Sequence, residues 1–228
     1  MANVDPKSFA LKLTGDGSGT LYSNDMQESY HSLNGAVQES RHVFIEAGLK
    51  ECVDRKIHIL EIGFGTGLNA LLTWDEAKKN QLEVAYTALE AYPLSMETTR
   101  ALGYDREELT LEKDSFNQLH AVHWGYPVVL EKDCFTLTKL ECDFTTLNLS
   151  DKFDLIYFDA FAPDKQPEMW EEQQFEKLYK ALNNRGILVT YCAKGEVRRR
   201  LQRCGFQVER IPGPPGKREM IRARKVEF

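Results

Sequence analysis

Leu60-Glu61-Ile62-Gly63-Phe64-Gly65-Thr66-Gly67-Leu68-Asn69 decides how the chain is read. The apolar, β-branched residues 57–62 predict a buried strand, three glycines at alternate positions break it, and a helical pattern begins near Leu68. Glycine suits such a loop because a missing Cβ permits positive φ and lets a ligand lie on the backbone. The free N–H groups of the following helix attract an anion or carboxylate. A nucleotide-type site is therefore expected. A dinucleotide fingerprint would put its third glycine at Leu68, where a bulky side chain spoils close helix–strand packing, which weakens an NAD or FAD reading. No Gly-Lys-Ser or Gly-Lys-Thr closes the loop, so a phosphate P-loop is excluded.

What remains, Glu-x-Gly-x-Gly-x-Gly, resembles the pattern of class I methyltransferases. In that pattern Glu61 faces the methionine part of S-adenosylmethionine, with Gly63, Phe64, Gly65, Thr66, Gly67 and Asn69 as further cofactor contacts. Glu90 ends the next strand-like run, residues 84–90, where a ribose could donate two hydroxyl hydrogen bonds to it. Asp143 ends a later strand and is read either as the acceptor of the adenine amino group or as a loop cap.

Working outward, residues 9–13 alternate apolar with polar, a glycine-rich turn follows at 15–19, and residues 20–22 can return as a second strand. Residues 1–35 are thus expected to be a small hairpin appendage and residues 36–228 a single α/β domain. A helix is expected from 36 to about 53. After the glycine loop, strand and helix alternate: helices at 68–77 and 94–102, a strand at 84–90, helical character at 114–123 and a hairpin across 128–140. Residues 153–159 form the clearest later strand, ending in Asp159. Such alternation predicts a doubly wound, Rossmann-like, mostly parallel sheet with ligands at the carboxyl ends of its strands. Trp170, Phe175, Leu178, Tyr179 and Leu182 read as a core-facing stripe rather than base-stacking residues, and 183–186 as a turn before a fifth strand. Two last strands, 206–211 and 220–225, suit an antiparallel hairpin at the sheet edge.

At 228 residues and 42% hydrophobic, the chain can bury one sizeable core. Residues 1–6 lack a signal-peptide pattern and no apolar run approaches the ~20 residues that span a bilayer, so a cytoplasmic protein without a membrane partner is expected. Five dispersed cysteines without a C-x-x-C pair read as reduced packing thiols. His120 and His123 alone are close, which reads as a helix surface, and no metal is expected. Residues 194–225 hold eleven Lys or Arg against three acids, a surplus of eight on a chain of net charge −6, so the rest carries −14. A basic segment on an acidic protein is a candidate nucleic-acid footprint, with Lys194, Arg198, Arg199, Arg200, Lys217 and Arg218 as phosphate contacts; the bland alternative is a solvated face paired with the acidic remainder.

Taken together, Asn34-Gly35 with 39–44, the 63–69 loop, Asp159-Ala160-Phe161-Ala162-Pro163 with Lys165, Pro167, Met169 and Trp170, and Gly216-Lys217-Arg218-Glu219-Met220 resemble the methyltransferase half of the bifunctional tRNA 5-methylaminomethyl-2-thiouridine biosynthesis proteins, the MnmC family. The resemblance spans about residues 20–222. It implies methylation, by S-adenosylmethionine, of the exocyclic amine of 5-aminomethyl-2-thiouridine at the tRNA wobble position. Gln166 departs from the family's usual asparagine. The family protein continues into a flavin oxidase, which residues up to 228 do not include, so no FAD chemistry is expected and separate enzymes would supply the aminomethyl substrate. Sulfonium methyl transfer is an in-line displacement that requires an unprotonated amine, and a primary alkyl amine has a pKa of ~10. Asp159 matches the family's aspartate and is the expected proton acceptor. Tyr22, Tyr30 and Phe161 are candidate walls for a flipped base. Two other readings compete: a class I methyltransferase for another amine, and a non-catalytic RNA-binding relative.

Overall fold

Residues 9–104 and 109–226 are described by the structure, a computed structural model; the reading of residues 1–6 lies outside them. Strands β1 (Phe9–Leu13), β2 (Gly19–Ser23) and β3 (Glu28–Ser29) form a small antiparallel sheet, one strand more than the expected hairpin. Helix α1 (Ala36–Ser40) then widens into a π-helical stretch, Arg41–Glu46, and a 3₁₀ turn at Leu49–Glu51 follows. The single helix expected to about residue 53 is thus interrupted. The wider turn is closed by Ala47 N–H donating to the His42 carbonyl at 3.2 Å, and Val43, Phe44 and Ile45 are all buried within it.

The main sheet begins with β4 (Lys56–Ile62), followed by α2 (Leu68–Asn80), β5 (Glu83–Glu90), α3 (Met96–Arg100) and α4 (Ser115–Ala121). It continues through β6 (Pro127–Glu131), β7 (Phe135–Glu141), β8 (Phe153–Phe158), α5 (Glu172–Ala181), β9 (Leu182–Thr190), α6 (Gly195–Arg203), β10 (Gln207–Pro212) and β11 (Glu219–Arg224). Strand order is β10-β11-β9-β8-β4-β5-β7-β6. The five central strands are parallel, and antiparallel strands close both edges, β6 on one side and β11 with β10 on the other.

Alternation along the strands explains the two layers of core. Ile57 and Ile59 of β4 face the α1–α2 side, while Leu60 and Ile62 face Trp170, Phe175 and Leu178 around α5. Of the expected stripe, Phe175 and Leu178 are core residues of α5 and Tyr179 is partly buried, while Trp170 is buried from a 3₁₀ turn before the helix and Leu182 from the start of β9. Glu61, at an odd position, therefore points toward α2. The expected turn at 183–186 is absorbed into β9 as an irregularity: the register jumps from Phe153 opposite Leu182 to Leu155 opposite Ile187, and Arg185 takes φ 64°. A left-handed residue and the looped-out segment do what a separate turn would do.

Strand order reverses between β4 and β8, because the chain from β4 builds outward through β5 and β7 and then returns to β8 on the other side. A crevice opens at such a switch point, above the carboxyl ends of the two strands. The loop 63–67 and Asp159 both border it.

Candidate active site

The crevice is a cavity of 420 Å³, in the size range of small-ligand sites. Its floor is the glycine loop. Gly63 has φ 90°, and a Cβ there would lie 2.7 Å from the Asp159 carbonyl oxygen; at Gly67, φ 75°, it would lie 2.8 Å from His120 Nε2. Bare backbone is what allows β4, β8 and α4 to meet at one point.

Glu90 accepts the Gly65 N–H at Oε2 (2.9 Å) and the Tyr92 N–H at Oε1 (2.8 Å), which braces the loop from β5 while the side chain lines the cavity. Asp143 lines it too, and its Oδ1 accepts both the N–H and the hydroxyl of Thr145, at 2.8 and 2.7 Å. The loop-cap role is thus present beside the cavity position. The Thr66 side chain is held by His31, Nε2 to Oγ1 at 2.6 Å, and the Thr66 carbonyl accepts from His120 Nε2 at 2.9 Å. His120 is accordingly not on a helix surface as expected: its ring packs edge-on against Phe64 and Phe116. Phe64 itself is buried.

Asn69, in the first turn of α2, joins the two carboxylates that sequence analysis kept apart. Its amide nitrogen donates to Glu61 Oε1 at 2.9 Å and to Asp159 Oδ2 at 2.8 Å, and its carbonyl accepts from Ser40 Oγ. Glu61 is 0% exposed, does not line the cavity, and leaves Oε2 without a hydrogen-bond partner; burial raises its pKa well above the ordinary carboxylate value. Asp159 does line the cavity. Burial pushes it up to about 7 against the opposing Asn69 hydrogen bond, Glu39 pushes it further and Lys217 draws it down.

Phe161 forms part of the opposite wall. Its N–H donates to Gln166 Oε1 at 3.1 Å and its carbonyl accepts from Trp170 Nε1 at 2.8 Å, so the departure at position 166 still serves to shape this loop. Tyr30 stands edge-on to Phe161 at 5.0 Å and lines the cavity; Tyr22 does not, being turned to Lys12 and Gln27 on the small sheet. Glu28, His31, Glu39 and Tyr191 also line the cavity and were not read as site residues from sequence. No spacing marks them, since they come from the small sheet, α1 and the end of β9.

The basic segment is less open than its composition implied. Lys194 pairs with Asp164 at 2.6 Å, Arg200 with Glu196 and the Trp170 carbonyl, and Lys217 with Glu39 at 2.8 Å. Arg198 is half-buried, whereas Arg199 and Arg218 are exposed and have no ion-pair partner among the described residues. Among the described residues no group of three or more His, Cys, Asp or Glu could hold a metal ion, and no helix is long and apolar enough to cross a membrane.

Comparison with known proteins completes the description. Residues 127–226 match the family described as S-adenosyl-L-methionine-dependent methyltransferase. The tRNA 5-methylaminomethyl-2-thiouridine biosynthesis bifunctional protein MnmC of Pseudomonas savastanoi pv. phaseolicola is 33% identical over 220 residues, 91% of this chain and 33% of that protein. The protein of the same name from Leptospira interrogans serovar copenhageni is 30% identical over 221 residues, 92% of this chain and 34% of its own. The chain thus spans about a third of the length of the curated relatives it matches. MNMC2 from Aquifex aeolicus superimposes with a TM-score of 0.75 at 24% identity, covering 99% of this chain and 74% of that one, which establishes the class I methyltransferase-type fold. The similarity to these relatives extends over nine-tenths of this chain, and the solved structure shares its fold.

Proposed function

We propose that this methyltransferase, kin to the MnmC methyltransferase domain, uses S-adenosylmethionine to convert 5-aminomethyl-2-thiouridine to 5-methylaminomethyl-2-thiouridine at the wobble position of tRNA. The observation that carries the reading is Asp159: a desolvated carboxylate, aimed by Asn69, at the switch-point cavity that also holds the glycine loop.

The residues present suit the cofactor. Gly63 and Gly65, both at positive φ, line a cradle at the N-terminus of the thirteen-residue helix α2. Gly63, Phe64, Gly65 and Thr66 would hold the methionine part, Glu90 the ribose hydroxyls and Asp143 the adenine amine, while Gly67 does not line the cavity and packs against α4. Glu61 acts on this site through Asn69 rather than by lining it. When bound, the cofactor supplies an electrophilic methyl on a sulfonium.

The substrate side is suited to a cation. Glu28, Glu39, Glu90, Asp143, Asp159 and Glu168 line the cavity, against a single Lys217 among the described residues. An alkylammonium is attracted there, and Asp159 then accepts its proton, leaving the nitrogen lone pair free for in-line attack. Because Asp159 sits near 7, the gap to the amine's ~10 is about three units smaller than for an ordinary aspartate. Phe161 and Tyr30 supply apolar walls for the base ring. Arg199 and Arg218, with Lys194 and Arg198 beside them, are the proposed contacts to tRNA phosphates, which position the RNA without reading its sequence. In this reading residues 1–35 are an appendage that contributes Glu28, Tyr30 and His31 to a site otherwise built by residues 36–228. The protein works in the cytoplasm, downstream of enzymes that make the aminomethyl group.

Labelled methyl transfer to tRNA carrying the aminomethyl group, against protein and small-amine controls, tests the reading. Transfer to tRNA alone is expected; transfer confined to the controls would replace tRNA by another amine, and no transfer with retained cofactor binding would leave only a binding protein.

A further inference from the structure

Lys217 is only half-exposed, and its ammonium is engaged by an acid of the chain itself. The loop 213–218 between β10 and β11, with the last residue of β10, is pinned to the N-terminal half of the chain at three points. His42 Nε2 donates to the Pro212 carbonyl at 2.8 Å, Asn34 Nδ2 donates to the Pro215 carbonyl at 3.3 Å, and Lys217 Nζ donates to Glu39 Oε1 at 2.8 Å. The approach is so close that a Cβ on Gly216 would lie 1.9 Å from Asn34 Nδ2. Glu39 is 8% exposed, and its second oxygen accepts the Ser32 N–H at 2.7 Å, so Lys217 is the cation paired with it. The Lys217 ammonium also lies 4.0 Å from the centroid of the Tyr191 ring. Glu39, Lys217 and Asp159 line the same cavity.

We propose that Lys217, held in the cavity wall by its ion pair with Glu39, is a positioning residue that favours the ionised form of Asp159 able to accept the substrate's proton, an inference that rests on the reading of Asp159 as the proton acceptor. A nearly buried carboxylate facing Asp159 opposes its ionisation, and a cation held on that carboxylate offsets the effect. The charge contributions at Asp159 have these signs: Glu39 favours its protonated form and Lys217 its ionised form. The other groups facing Asp159 are the Asn69 amide from α2, Glu61 from β4, Tyr86 from β5 and Tyr191 after β9, and none of them is a cation. Lys217 in turn faces Glu39, Tyr191, His31 and Cys192. Without the lysine, Glu39 stands bare beside Asp159, which then holds its proton at neutral pH. Without the glutamate, the lysine acts alone and Asp159 ionises more readily.

The two halves of the pair should therefore move the reaction in opposite directions. The test is the pH dependence of kcat/KM for methyl transfer to the aminomethyl substrate, read at the acidic limb that Asp159→Asn abolishes. Lys217→Met is expected to move that limb up by roughly one unit, about a tenfold loss of rate at pH 6, recovered at high pH. Glu39→Gln is expected to move it down, the double variant to return it toward the wild-type position, and Lys217→Arg to leave it in place. Cofactor affinity, measured by calorimetry, should stay within about threefold throughout, since neither residue is assigned to hold the cofactor. Shifts in the same direction, or an unmoved limb in variants that bind cofactor, would overturn the proposal. Should Lys217→Met not fold, the sign of the Glu39→Gln shift decides alone. A wild-type enzyme without an acidic limb, or an active Asp159→Asn variant, would instead refute the reading of Asp159 itself.

Discussion

The two ends of the cavity hold their carboxylates by different means. At the glycine-loop end, Glu90 and Asp143 receive backbone N–H groups, from Gly65 and Tyr92 in one case and Thr145 in the other. At the other end, Asp159 is held by the side-chain amide of Asn69 and balanced by the charges of Glu39 and Lys217. Backbone donors are fixed by the fold itself, so the first end is preorganised for a constant ligand. Side-chain donors can be changed without rebuilding a strand, so the charge at the reacting end is open to tuning. Under the proposed function, the difference separates binding from chemistry within one cavity.

Substitutions at the two ends should separate the same way. The largest effect is expected from Asp159→Asn, with kcat lowered by ~10²–10⁴-fold, the range for loss of a general base, and cofactor affinity within about threefold. Single-turnover kinetics with calorimetry measures both; turnover within tenfold of wild type would erase the distinction. Glu90→Ala should do the reverse. Loss of hydrogen bonds to a charged acceptor, ~1.5–3 kcal/mol each, weakens cofactor binding by roughly 10- to 100-fold while kcat at saturation changes little. An unchanged Kd would remove Glu90 from the binding end.

The smallest effect concerns the brace behind the loop. His31 is buried against Thr66, and burial presses its pKa down to about 4 from 6.5. A group whose folded pKa is depressed in this way contributes stability that is full above 6.5 and is lost as pH falls through 4. His31→Gln should therefore flatten the fall of Tm between pH 6.5 and 4 by a few degrees, about 1 kcal/mol in a chain of this size. Equal slopes for both proteins in thermal scans would exclude the brace as an acid-sensitive point.

How far the sequence foretold this follows from where each signal lies. The glycine loop and Asp159 were visible because each ends a strand buried on both faces, whose apolar run is long enough to be recognised, and because crevices form at the carboxyl ends of such strands. The core role of Trp170 and Phe175 was visible from helical spacing. Charge counting, by contrast, did not foresee the ion pair of Lys217: it registers a basic segment but not which side chains find acids elsewhere in the fold, and Glu39 lies 178 residues away. The same limit hid Asn69 as the link between Glu61 and Asp159, and His31 as the partner of Thr66. The π-helical stretch at Arg41–Glu46 escaped because a one-residue shift in the backbone hydrogen-bond pattern leaves no mark in apolar spacing over so short a segment. The strings Asn34-Gly35, 39–42 and 216–219, noticed separately, turn out to be neighbours in one wall.

That wall has a bearing on biosynthesis. Its three ties join residues 170, 178 and 181 positions apart in the chain, the costliest kind of contact to close during folding. A nascent chain can assemble β4, β5, β7 and β8 while still being translated, yet its reaction chamber stays open on one side until the β10–β11 loop has left the ribosome. Premature termination in that loop would also leave out β11, so that β10 has no partner strand, β9 becomes an open edge, and the core lacks Met220, Ile221 and Ala223.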